Sequence, residues 1–170
     1  MKKIGFTLIE LVVVIALLGI LAAAALPRMM KSYDGAHKSN VTATGGALAS
    51  AVILVRSQWV TNGAQGEVDS VTGYGDDSIA TSAEGWPTDA YQGSASSNST
   101  NIAGDAARCA RLWQGLLVLS APTVSASASA STDFLAQSPG GSICRYVYQN
   151  DSNNMQIEYN VATGSVITIL

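Results

Sequence analysis

Few residues of this chain belong to the types that carry out chemistry. His37 is the sole histidine, so a Ser-His-Asp or Cys-His arrangement would depend on that one side chain. The adjacent carboxylates Asp76 and Asp77 lie in a Gly-rich and Ser-rich stretch with nothing beside them to orient a proton transfer. Phosphate-binding glycine motifs are also missing from the sequence. These observations argue against an enzyme and imply no cofactor.

Metal-ligand patterns are equally weak. Asp69, Asp76 and Asp77 could offer oxygen ligands to calcium, but their spacing is not that of an EF-hand, so a solvated turn is preferred. Cys109 and Cys144 lie 35 positions apart without a CxxC pair or a neighbouring histidine, which argues against zinc. A disulfide between them is favoured, and it implies an oxidising compartment. No metal site is therefore predicted.

The charge distribution limits the classes of partner that are expected. The formal charge is −3 over 170 residues, and lysines and arginines do not cluster in the sequence. Neutralising the phosphates of a nucleic acid requires such a cluster, so nucleic acid is not an expected partner. The apolar residues, 48% of the chain, are concentrated at the N-terminus instead.

That N-terminal segment predicts a membrane helix over residues 6–27. Glu10 is the only ionisable side chain among the 21 residues from Phe6 to Leu26. A helix of this length is about 30 Å long, which matches the hydrocarbon core of a bilayer. Pro27 should kink the helix, because it removes one backbone donor and crowds the preceding turn. A carboxylate in hydrocarbon is costly and is usually paired, so we expect Glu10 to have a partner in a neighbouring helix.

The rest of the chain predicts an α+β fold, with residues 28–63 as the amphipathic half of the same helix. Apolar residues recur at steps of three and four from Val41 to Trp59, and Asn62-Gly63 is a helix-ending signal. The globular head would comprise residues 64–170. Its first part, residues 64–104, is predicted to be an irregular connection with little regular structure.

Further along, the head shows one helix and a run of strands. Asp105 offers an N-cap to a second short helix that should end before Pro122. Residues 123–131 are low in complexity and are predicted to be a flexible loop. Alternation around Ile157 and two other β-rich runs predict an antiparallel meander of three strands, or of four if a further segment pairs. These runs are residues 143–149, 155–160 and 166–170, and the further segment is residues 132–137.

The segment Gly5-Phe6-Thr7-Leu8-Ile9-Glu10, preceded by Lys2-Lys3, resembles the class III leader of type IV pilins and pseudopilins. The resemblance implies that a prepilin peptidase removes residues 1–5 by cutting after Gly5, and that Phe6 is then N-methylated. It also implies that inner-membrane assembly machinery moves the retained helix into a filament of homologous pilin subunits. The new amine of Phe6 in one subunit would there meet Glu10 of another, with the cation and the carboxylate at the same depth.

Two other interpretations of the N-terminus stay open. A conventional signal peptide would be cut near Ala22–Ala25, and a plain single-span anchor would keep Met1. Both leave Glu10 within an apolar helix without a role. The N-terminal residue of the mature chain separates the three interpretations: methylated Phe6, a residue near Leu26, or Met1.

Later motifs look like those of MSHA-type (mannose-sensitive haemagglutinin) pilin subunits, especially the minor B-type. They are Gly46–Val52 with Val55–Trp59, then Gly85-Trp86-Pro87, Cys109 with Leu112-Trp113, and Cys144-Arg145-Tyr146. The resemblance implies a Gram-negative surface pilus for attachment and biofilm formation, with surface or host glycans as candidate ligands. A type II secretion pseudopilin that drives protein export is the main alternative. Trp86 could stack on a sugar, although a plug over its loop is the favoured interpretation.

Overall fold

The computed structural model describes residues 6–91, 97–118, 121–128 and 131–170. The chain separates into two compact units, Met1–His37 and Lys38–Leu170. The elements in chain order are α1 (Leu8–Thr61), β1 (Ile79–Thr81), β2 (Pro87–Ala90), α2 (Ala106–Leu116), β3 (Val124–Ser125), β4 (Phe134–Gly140), β5 (Ile143–Tyr148), β6 (Gln156–Asn160) and β7 (Val166–Ile169). This long helix, short second helix and largely antiparallel sheet confirm the predicted α+β class.

Within the first unit, α1 passes through Pro27 without a break in helical structure. The predicted continuation beyond Pro27 is confirmed, whereas the kink stays a prediction. Among the described residues of the first unit, α1 is the only helix or strand.

In the second unit, α1 supplies one wall of the core. Val41, Leu48, Val52 and Val55 are fully buried, as their helical spacing predicted. The helix ends where expected, because Gly63 adopts a φ of 69° and its N–H bonds to the carbonyl of Val60 at 2.9 Å.

A five-stranded sheet forms the opposite wall, in the order β3-β4-β5-β6-β7. Strands β4 to β7 form an antiparallel meander, so the fourth strand left open by the sequence is present as β4. Alternate residues of β5 and β6 are buried, among them Tyr146, Ile157 and Tyr159.

The prediction of a loop over residues 123–131 was wrong at Val124–Ser125, which pair in parallel with β4 as the edge strand β3. A polar contact stabilises this pairing. The Asp133 carboxylate accepts hydrogen bonds from the backbone N–H and the hydroxyl of Thr123, at 2.9 and 2.7 Å. Low complexity did not prevent a strand here, because the strand depends on pairing with β4. Its partners in β4 lie ten positions further along the chain, so the local composition does not reveal them.

The prediction of an irregular connection over residues 64–104 was wrong at Ile79–Thr81 and Pro87–Ala90, which are strands. β1 and β2 form an antiparallel hairpin, and the side chains of Ile79, Thr88 and Asp89 are buried. Both strands are short and rich in small or polar residues, so neither shows the alternation that marks a half-buried strand. Their burial depends on α2, which packs on the hairpin.

Buried and half-buried aromatic side chains tie separate parts of the second unit together. Each donates a hydrogen bond to a main-chain carbonyl in another part of the second unit. These bonds run from Trp59 Nε1 to Gly66 at 3.1 Å, Tyr74 to Leu116 at 2.9 Å, Trp113 Nε1 to Pro122 at 2.9 Å, Tyr146 to Cys109 at 2.9 Å, and Tyr159 to Pro87 at 2.7 Å. The rings are thus packed while their polar tips remain satisfied.

Candidate functional site

The N-terminal part of α1 exposes a continuous apolar surface. From Leu8 to Leu26 every described side chain is exposed, including Leu8 at 80% and Ile20 at 69%. By length and composition this helix could cross a membrane. Its apolar side chains have no partner within the unit, so this surface requires lipid or protein around it.

The start of the helix is organised around Thr7 and Glu10. The Oε2 atom of Glu10 accepts hydrogen bonds from the backbone N–H and the hydroxyl of Thr7, at 2.9 and 2.7 Å. In return the backbone N–H of Glu10 donates to the Thr7 hydroxyl oxygen at 3.4 Å. This is a capping box, in which the N-cap side chain and the acid three residues on satisfy each other's backbone donors. It fixes the Glu10 carboxylate beside the helix end.

Glu10 therefore has a partner that the sequence analysis did not consider. Both bonds to Thr7 use Oε2, and Oε1 has no hydrogen bond to any residue that the structure describes. The helix N-terminus also favours a negative charge at this place. Sequence could have revealed the motif, because Thr-x-x-Glu before an apolar run is its signature.

The structure describes only part of the predicted processing site. Gly5 and the remaining leader residues lie outside the described residues, so cleavage after Gly5 and methylation of Phe6 stay predictions. Phe6 itself is 79% exposed and precedes the helix by two positions.

The predicted disulfide is present and lies deep in the head. Cys109 of α2 and Cys144 of β5 are bonded, with their Cα atoms 5.4 Å apart and both side chains fully buried. Beside it, Trp113 packs on Tyr146 with ring centroids 4.6 Å apart. The bridge therefore ties the second helix to the sheet through the core, as predicted.

A buried charge cluster that sequence reasoning missed holds α2 on the hairpin. Asp89, 1% exposed, accepts hydrogen bonds from Nε and Nη2 of Arg111, each at 3.1 Å. Arg108, also buried, donates to the carbonyls of Thr88 and Ser97 at 2.7 and 2.8 Å. Burial lowers the pKa of Arg108, and nearby Asp89 opposes that effect. The cluster is a structural clamp, since Asp89 and Arg108 are buried and Arg111 is only one-third exposed.

Trp86 serves as a plug, as the favoured interpretation held. The Arg56 guanidinium carbon lies 4.2 Å from the centroid of the Trp86 ring, and a side chain at Gly164 would overlap that ring. Arg56 also donates through Nε to the carbonyl of Glu84 at 3.2 Å. The indole is therefore engaged by α1 and by the turn before β7.

Two of the three aspartates weighed as calcium ligands take part in a turn. The carboxylate of Asp77 accepts from the Gly73 N–H at 2.7 Å, and that of Asp76 accepts from the Ser78 N–H at 3.2 Å. Asp69 is exposed. Among the described residues, no group of three or more metal-ligating side chains was found. His37 lies on α1 in the first unit, away from any of these acids in sequence.

Residues 1–26 match the family model for the prokaryotic N-terminal methylation motif. The same chain is 47% identical over 58 residues to the type IV narrow pilus major component PilA5 of Thermus thermophilus. This alignment covers 34% of the chain and 50% of PilA5, so the chain spans about half the length of the curated relative that it matches. No solved structure matches the chain.

Together these two matches support the type IV pilin family, and they point to a structural pilin rather than to an enzyme. The fold agrees, because a long N-terminal helix, a short second helix, an antiparallel-rich sheet and one disulfide are consistent with the type IV pilin fold. The methylation motif coincides with the exposed apolar part of α1, which is long and apolar enough to cross a membrane.

Proposed function

We propose that this chain is a structural subunit of an MSHA-like type IV pilus that supports surface attachment and biofilm formation. One observation carries the proposal. The methylation motif of residues 1–26 includes a capped Glu10 and an exposed apolar helix. Such a helix requires lipid before assembly and other apolar helices after it. Both environments are of similar polarity, so transfer between them need not expose the helix to water.

Processing comes first in this scheme. Prepilin peptidase cuts between Gly5 and Phe6 and methylates the amine of Phe6, while the helix holds the chain in the inner membrane of a Gram-negative cell. Removal of Lys2 and Lys3 with the leader changes the formal charge from −3 to −5, because two positive charges leave.

Assembly then pairs the amine of Phe6 in one copy with Glu10 of another. Thr7 holds Oε2 of Glu10 at the helix start and leaves Oε1 available to that amine. Thr7 is therefore a positioning residue. In surroundings of low dielectric constant the attraction between the two charges far exceeds its value in water.

The head would determine what the pilus touches. The buried disulfide between α2 and β5 supports a true pilus subunit over a secretion pseudopilin, since it stabilises a head exposed outside the cell. Surface or host glycans remain the proposed ligands. Trp86 is not proposed to bind them, because Arg56 and Gly164 already engage its ring.

Mass spectrometry of filaments sheared gently from the cell surface tests the proposal. We expect the chain in that fraction with methylated Phe6 as its first residue, and a strain deleted for the chain provides the control. A start at Met1 or near Leu26 would contradict the processing scheme. Recovery of correctly processed chain only from the cell envelope, together with loss of protein export on deletion, would instead favour the secretion pseudopilin.

A further inference from the structure

A shallow apolar groove of about 270 Å³ lies in the second unit between α1 and Trp86. Ile53 and Val60 are 61% and 60% exposed along it, and Ser57 lies between them. Two large aliphatic side chains on one open helix face cost stability in water without contributing to the core.

The wall of this groove is held in place before anything binds. Arg56 contacts the Trp86 ring and donates to the carbonyl of Glu84, and Gly164 packs against the same indole. A wall with fixed side chains loses little conformational freedom on binding. The groove is therefore organised as a docking surface.

The rim of the groove is acidic. The Glu84 side chain is exposed, and with Glu67 and Asp69 it lines an adjoining cleft. None of these three carboxylates forms an ion pair with a residue that the structure describes. Residues 38–170 as a whole carry five basic and ten acidic side chains, a net charge of −5.

A complementary surface lies in the first unit of the same chain. We call Arg28, Met29 and Tyr33 the basic collar. Met29 and Tyr33 are 53% and 61% exposed, and Arg28 forms no ion pair among the described residues. Met29 and Tyr33 are four residues apart on α1, and they share one face with Arg28. This face therefore combines apolar side chains with a positive charge, which matches the groove and its acidic rim.

We propose that the basic collar of one copy docks in the groove of a second copy. This inference rests on the proposed function and names a contact through which copies would associate. Met29 and Tyr33 would cover Ile53 and Val60, while Arg28 approaches Glu84. The collar and the groove are different surfaces of one chain, so their association is heterologous and builds an open filament rather than a closed dimer.

Charge reversal in cells tests the polar half of the contact. We expect Glu84→Lys to lower the amount of the chain in sheared filaments at least tenfold. Combining it with Arg28→Glu should restore the amount to within twofold of wild type. Asn153→Lys, which adds a positive charge on the exposed turn after β5, is the matched control and should leave the amount unchanged. A double variant as deficient as Glu84→Lys alone would refute the pairing.

Disulfide trapping tests the apolar half. A chain carrying Met29→Cys and Val60→Cys should form a ladder of covalent oligomers when sheared filaments are mildly oxidised. A chain carrying Met29→Cys and Asn153→Cys should stay monomeric. Filaments without a ladder, or Val60→Cys linked to a different protein, would overturn the second copy as occupant and leave the proposed function intact. Absence of the wild-type chain from filaments would instead be a failure of the proposed function.

Discussion

At the scale of single residues, Thr7 and Glu10 divide one task between them. Glu10 carries the charge proposed to meet the next copy, and Thr7 sets where that charge lies through two hydrogen bonds to Oε2. The two roles predict different losses of filament incorporation when each residue is substituted. Removing the carboxylate abolishes the attraction, whereas removing the hydroxyl leaves the carboxylate present but less well held.

We therefore expect Glu10→Val to reduce the chain in sheared filaments at least a hundredfold while membrane insertion stays normal. Thr7→Ala should reduce it by about three- to tenfold, and Thr7→Ser, which keeps the hydroxyl, should resemble wild type. Quantitative immunoblots of sheared and membrane fractions give both measurements. Normal incorporation of Glu10→Val would defeat the pairing with the Phe6 amine.

The adjacent glycines Gly45 and Gly46 show that residue type alone does not predict what a glycine does within a helix. Both are poor helix formers, but only Gly45 faces the sheet. A methyl group at Gly45 would overlap the hydroxyl of Thr168 and would lie 3.7 Å from Ile157 Cγ1, whereas nothing lies within 4 Å of one at Gly46. The first glycine permits close packing of α1 on β7, a reason visible only once β7 is in place.

Opposite effects on stability follow for this pair. Gly45→Ala should lower the free energy of unfolding by about 1–3 kcal/mol through overpacking. Gly46→Ala should raise it by about 0.5–1 kcal/mol because alanine favours the helix. Denaturant unfolding of the full chain in detergent micelles, followed by near-UV circular dichroism, measures both. Equal effects would mean that β7 does not approach Gly45.

At the scale of elements, α2 joins the two parts of the head. The disulfide and Trp113 connect it to the sheet, and the Asp89 cluster connects it to the hairpin of β1 and β2. The sequence predicted α2, its cap at Asp105 and its buried face, because these depend on spacing within a dozen residues. It did not predict the hairpin, because Asp89 becomes buried only through Arg111, 22 positions away.

We expect Asp89→Ala to lower the free energy of unfolding by about 3–5 kcal/mol, because Arg108 and Arg111 then lose their buried carboxylate partner. Asp69→Ala removes an exposed carboxylate and should change stability by less than about 0.5 kcal/mol. Denaturant unfolding of the two variants in micelles compares them directly. A small effect of Asp89→Ala would show that the hairpin is stabilised chiefly by apolar contacts with α2.

At the scale of the whole molecule, buried tyrosines make the head sensitive to alkali. Burial raises the pKa of Tyr146 and Tyr159 well above their usual value, and charge repulsion from the neighbouring Tyr146 raises that of Tyr159 further. The folded chain keeps both protons where the unfolded chain loses them. Stability is therefore complete below about pH 10, the unfolded value, and falls as the pH rises further.

Above about pH 10 the free energy of unfolding should fall by up to about 1.4 kcal/mol per pH unit for each of these tyrosines. In the double variant Tyr146→Phe and Tyr159→Phe, which starts from a lower stability, the slope should be clearly shallower. Tyr33→Phe, an exposed position on α1, is the matched control. Parallel slopes for the double variant and wild type would contradict the assignment to these two residues.

Two tryptophans have a consequence for how the head can change over generations. Trp59 and Trp113 anchor the irregular segments at Gly66 and Pro122 by donating to main-chain carbonyls, a group that every amino acid provides. The side chains of the anchored segments are therefore not specified by these bonds. Mutational drift can therefore diversify the outward surface of those segments while the scaffold persists.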